Sequence, residues 1–162
     1  MGADIHMYAE AKLPDGTWHM VRSYTTISRS AMRGDLPQRP GMFDWVSFKV
    51  ASRNYEFFAA LAGVRGRGPA PLGLPPDVSP AVNYHATRWG SDGHSHSWLS
   101  AHDFAQVFTK HHLSSDELAQ LTASRLEGKY HGSLTHILGE YLAIDEDFVA
   151  PENIRFVFWF DN

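Results

Sequence analysis

The sequence has no cysteine. That excludes disulfides and thiolate metal sites, and it fits a cytoplasmic protein, since oxidising compartments favour disulfides. No apolar run approaches the roughly 20 residues that span a bilayer, so no membrane partner is expected. The N-terminus has no basic region followed by an apolar core, so no signal peptide is expected either. Met1-Gly2 would suit a myristoylation start, but His6 stands where that motif takes Ser or Thr. Positive charge is also scarce. Lys and Arg number 14 against 18 Asp and Glu, a formal charge of −4. This argues against broad nucleic-acid binding and leaves room for a local pocket for a small anion.

What is present is an ordinary apolar share and an excess of histidine. Hydrophobic content is 43% and charged content 20%, as in soluble globular proteins. The 162 residues suffice for one domain spanning 1–162 with a proper core. There are ten histidines. Two fall in Asp92-Gly93-His94-Ser95-His96-Ser97-Trp98, a stretch too polar to build a core.

Alternation predicts a strand over Asp4 to Lys12, with Ile5, Met7 and Ala9 on one face and Asp4, His6, Tyr8 and Glu10 on the other. Pro14-Asp15-Gly16 is a turn by composition, so Thr17 to Thr25 is the return strand of a hairpin. Thr26 to Phe43 has no period and reads as a long loop, either a binding loop or a plain connector. Phe43 to Val50 suits a short strand. Ser52 suits an N-cap for a helix from Arg53 to Gly63. Gly66 to Pro80 is irregular, and a short helix capped within Asp77 to Ser79 runs to about Trp89. Ser100 with Asp103 and Ser114 with Glu117 open two further helices. Another helix covers Ser133 to Ala143. The last strand, Asn153 to Asp161, is apolar on nearly both faces and is therefore expected at the sheet centre. The sum is an α+β domain. Its mostly antiparallel sheet holds both terminal strands, with helices inserted between the early and last ones.

His94 and His96 are two apart, so in an extended segment their rings share one side. They suit metal binding, phosphate binding or acid–base catalysis near neutral pH, with Asp92 as third ligand or orienting partner. The competing reading is a polar turn whose histidines cap the next helix. Asp4 and His6 repeat the spacing and would extend the metal set to Asp4, His6, Asp92, His94, His96 and Asp161, provided the last strand pairs with the first. Against this stands a plain solvent-facing strand. Arg53 and Asn54 at a helix start suit an anion, and Arg65 and Arg67 add guanidinium groups; surface arginines are the alternative for the second pair. Glu10 and Glu140 rank lower. His19, His85, His111, His112, His131 and His136 are most simply helix-end or amphipathic residues.

The opening Met1-Gly2-Ala3-Asp4-Ile5-His6, the Arg53-Asn54-Tyr55 helix start, the Leu74-Pro75 and Val78-Ser79-Pro80 segment, the Asp92 to Trp98 stretch and the closing Phe158-Trp159-Phe160-Asp161-Asn162 resemble a family of small phage and prophage proteins. The resemblance runs from first strand to last. Ala3 stands where many relatives are expected to carry cysteine. The resemblance implies phage origin and action in the cytoplasm of an infected bacterial host; it carries no activity.

The leading expectation is a hydrolase of a phosphoester or phosphodiester of a small nucleotide, cyclic immune signals included. His94, His96 and His6 would be its catalytic groups. A divalent metal such as zinc, manganese or nickel would assist, or the histidines would act without one. Arg53, Asn54, Arg65, Trp98 and Trp159 would bind the ligand, with Trp89 a further stacking candidate. The alternative is a sponge that sequesters a nucleotide signal uncleaved. A third reading is a protein-binding inhibitor acting through Thr26 to Phe43. A site shared across a homo-oligomer is left open.

Overall fold

The computed structural model describes residues 2–25, 53–126, 134–142, 144 and 149–162. The loop expected over Thr26 to Phe43, the strand over Phe43 to Val50, and Ser52 lie outside them. Within them a hairpin of β1 (Asp4–Lys12) and β2 (Trp18–Thr25) is followed by α1 (Tyr55–Ala62) and α2 (Pro80–Thr87). Then come β3 (His94–Ser100), α3 (Ala101–His112), α4 (Ser115–Leu126), a π-helical stretch at Ile137–Tyr141 and β4 (Ile154–Asp161). The four strands form one antiparallel sheet in the order β2-β1-β4-β3. The α+β architecture with both terminal strands in the sheet is as the alternation predicts. The third strand is the His-rich stretch itself.

β4 lies inside the sheet because it is apolar on both faces. Every residue from Ile154 to Phe160 is buried, and each large apolar side chain hidden there contributes roughly 1.5–3 kcal/mol. Phe156, Phe158 and Phe160 join Ile5, Met7 and Ala9 on one face, packed against Phe57, Phe58 and Leu61 of α1 and Phe104 and Phe108 of α3. Val157 and Trp159 face the other way, onto Val82 and Ala86 of α2, with Tyr8, Trp89 and Trp98 half-buried around them. The face of β1 that alternation marks as polar is therefore roofed by α2.

A buried ion pair fixes that roof. Arg155 donates from Nε to Glu10 Oε2 at 2.7 Å, and Glu10 Oε1 accepts from the Ser79 backbone N–H at 2.7 Å. Glu10 has no exposed surface, and Arg155 is 4% exposed. Arg155 also donates to Asp77 Oδ1 at 2.6 Å, and its guanidinium lies 4.0 Å from the Trp18 ring centre. A charge so deeply buried needs a partner, so the pair pins the segment leading into α2 against β1 and β4.

The caps follow the sequence with one correction. Asn54, not Ser52, caps α1: its side chain accepts from Phe57 N–H at 3.0 Å. Gly63 ends the helix at φ 68°. Ser79 caps α2, with Pro80 in its first turn. Ser100 Oγ accepts from Asp103 N–H, and Ser114 and Glu117 bond reciprocally, each side chain to the other's backbone N–H.

Candidate functional site

The pairing of β1 with β4 sets Asp4 opposite Asp161 and His6 opposite Trp159. Asp161 Oδ1 accepts from the Asp4 N–H at 3.2 Å, and Asp161 Oδ2 lies 3.5 Å from His6 Nε2. At that distance the contact is electrostatic more than a formed hydrogen bond. The two side chains are 15% and 19% exposed, so this pair reaches solvent at the end of the sheet.

Aromatic rings hold the His6 imidazole. Trp89 lies over it with ring centres 4.1 Å apart, and Trp159 lies at 6.0 Å. Trp159 stacks in turn on Tyr8 at 5.1 Å and on His96 at 5.7 Å, and Tyr8 stacks on His85 at 5.1 Å. A row of rings thus crosses from α2 through β1 and β4 to β3.

Burial is the dominant influence on His6 and lowers its pKa below the ordinary 6.5; Asp161 leads the opposing effects, followed by Asp4. The imidazole is therefore neutral at pH 7 and able to accept a proton. Burial likewise lowers His96 and His85, helped by the charge of His94 and Arg88 respectively.

Trp89 is delivered by the turn after α2. Gly90 takes φ 52°, and Asp92 N–H bonds to Trp89 C=O at 3.0 Å. Gly93 packs into the gap between Trp89 and β3: a Cβ there would lie 2.9 Å from Trp89 Cβ and 3.5 Å from His96 Cε1.

His94 and His96 do not share a side. The register of β3 on β4 slips between His94 and Ser97, and Ser95 adopts φ 53°. One extra residue in the bulge turns the two rings apart. His94 stacks on Phe160 and His96 on Trp159, neighbours on opposite faces of β4. His94 Nδ1 is 3.0 Å from Ser95 Oγ. Asp92 is exposed in the turn.

The structure thus brings together Asp4, His6 and Asp161 and sets His96 beyond Trp159, while His94 lies against Phe160 and Asp92 is exposed in the turn. Among the described residues, no group of three or more His, Asp or Glu side chains is arranged to hold a metal ion.

Of the ligand-binding candidates, Arg53 is committed to Asp4 through two bonds of 2.8 and 2.9 Å. Asn54 is occupied as the α1 cap. Arg65 lies over Tyr55 at 5.0 Å, and Trp98 is half-buried with Arg155 at 5.7 Å. Trp159 is fully buried and cannot stack on a ligand base, which corrects that expectation. The aromatic clamp on His6 and the Glu10–Arg155 pair were missed in the sequence. The one legible signal was a lone arginine inside an otherwise apolar last strand.

No family model matches this chain, and neither does any curated protein or solved structure. No helix among the described residues is long and apolar enough to cross a membrane.

Proposed function

We propose that the protein is a hydrolase of a phosphoester or phosphodiester of a small nucleotide, cyclic immune signals included, and that His6 and Asp161 carry the proton chemistry. The observation behind this reading is the His6–Asp161 pair, half-sheltered at the sheet end with Trp89 laid on the imidazole. Nε2 of His6 faces Asp161, which leaves Nδ1 as the nitrogen that takes a proton. Asp161 stabilises the imidazolium by its charge once it forms. Water attacks phosphorus as His6 removes its proton; a new P–O bond forms while the bond to the leaving oxygen breaks, and that oxygen takes up a proton from solvent, to which His6 later returns its own. Trp89, half-exposed, offers a stacking face for a base. Phage origin and action in the host cytoplasm belong to the same proposal.

The test is turnover of a panel of cyclic and linear nucleotides by wild type and His6→Ala, with and without zinc, manganese or nickel. Loss of turnover in His6→Ala supports the reading. Full turnover in that variant ends it. Strict dependence on an added metal would shift the chemistry from His6 alone to metal-activated water.

A sponge is the second reading, favoured by the half-exposed Trp89 indole, which suits stacking without any reaction. Intact ligand recovered after denaturing a stable complex would select it.

A further inference from the structure

The turn that carries Trp89 also carries Arg88. α2 ends at Thr87, and Arg88 is its C-cap, with its N–H bonded to Tyr84 C=O at 3.3 Å, so its backbone position is fixed. The side chain is exposed and its guanidinium lies 5.7 Å from the Tyr84 ring centre. Among the described residues no carboxylate pairs with it. Its charge bears on Tyr8 of β1 and on His85 of α2, whose rings stack on each other. Tyr8 and His6 occupy one face of β1 and both stack on Trp159. Trp89 of this turn lies on His6, and Arg88 immediately precedes it, with its guanidinium on the side of α2 that carries Tyr84.

Two other arginines described beside this face are already engaged. Arg53 is bound bidentately by Asp4, and Arg155 is buried between Glu10 and Asp77. An anion that took Arg53 would strand Asp4, and one that took Arg155 would open the roof. A guanidinium with no carboxylate partner among the described residues breaks no described ion pair when recruited and suits the fork of phosphate oxygens. The plain alternative is a C-cap cation that complements the helix dipole. That role needs charge at this position but no ligand, and the two are separable.

We propose that Arg88 holds the phosphate of the ligand while Trp89 stacks on its base, making the turn at 88–92 the recognition element of the site. This rests on the nucleotide-phosphate reading above.

The experiment is calorimetric titration of the full chain with adenosine 5′-monophosphate, guanosine 5′-monophosphate, inorganic pyrophosphate and the two nucleosides. It uses wild type, Arg88→Gln, Arg88→Lys, Arg53→Gln and His6→Ala. Arg88→Gln should weaken the phosphorylated probes by about tenfold to a hundredfold, the worth of a charge-assisted contact, and leave the nucleosides unchanged. Arg88→Lys, which keeps the dipole charge without the fork, should fall between. Undiminished phosphate affinity in Arg88→Gln, or its loss in Arg53→Gln alone, overturns the assignment while the site reading stands, provided His6→Ala still abolishes turnover. If wild type binds none of the probes, the Arg88 assignment falls, and turnover of the nucleotide panel alone decides the hydrolase reading.

Discussion

His6 is the residue on which the proposed chemistry turns, and its surroundings set a pH signature. Burial holds its pKa below 6.5, with Asp161 pulling upward. The acidic limb of kcat/KM should thus lie below pH 6.5. In Asp161→Asn the imidazolium loses its carboxylate, so the limb should move lower still, and kcat should fall about a hundredfold as the charge that stabilises the imidazolium is lost. A pH–rate profile of both proteins checks this. His112 offers a stability counterpart, packed on Phe57 and Phe108, with its pKa lowered by burial and by His111 to about 4. Because the folded value lies below the unfolded one, the unfolded chain binds more protons between them. Stability should fall as pH drops from about 6.5 to about 4, and denaturant midpoints of His112→Gln should be flatter across that window. Glu10→Ala leaves Arg155 paired with Asp77 alone and the Ser79 N–H without its acceptor, and should cost about 3 kcal/mol in chemical denaturation. At this scale the sequence was half legible. His6 and Asp161 could be paired because alternation assigns each a face and the β4 pattern demands a central place. Glu10 and Arg155 could not, since nothing local says that a polar strand face will be roofed.

Among the elements, the strand β3 departs most from what spacing implies. Two histidines two residues apart should share a side, yet the bulge at Ser95 sends them to opposite faces. A period-2 rule holds only while the ladder is regular, and a single inserted residue resets it. No turn signal marks Ser95, which is a non-glycine residue at positive φ, so the reset is invisible in the sequence. The helices were more legible because their starts are chemical: Ser79, Ser100 and Ser114 each cap a helix through their own side chains. Between α2 and β3 the turn is held by close packing at Gly93. Gly93→Ala brings a methyl to 2.9 Å from Trp89 Cβ and should push the indole off His6. The expected outcome is altered tryptophan fluorescence and at least a tenfold loss of turnover, about 1.4 kcal/mol of barrier, with helical content unchanged by circular dichroism.

Taken whole, the molecule is a sheet roofed on both sides, with its first and last strands side by side in the middle. The α+β class, the hairpin and the central place of β4 were all readable, since each follows from alternation or its absence. The third strand was not, because its polarity disguised it. Asp4 and Asp161 are 157 positions apart in the chain, yet one donates to the other. Such distant pairing makes refolding slow, in the range of milliseconds to seconds rather than microseconds. In stopped-flow refolding the signal of Trp89 on His6 should appear only in the final phase; its appearance with early hairpin formation would contradict this. The same arrangement has a consequence during synthesis. While the ribosome is still at work, β1 waits with one edge bare, and the pairing that creates the site closes only after residue 161 has left the exit tunnel. A nascent chain that has not yet released β4 therefore lacks the His6–Asp161 pair, and under the proposed function neither it nor a product shortened before β4 carries out the proposed chemistry.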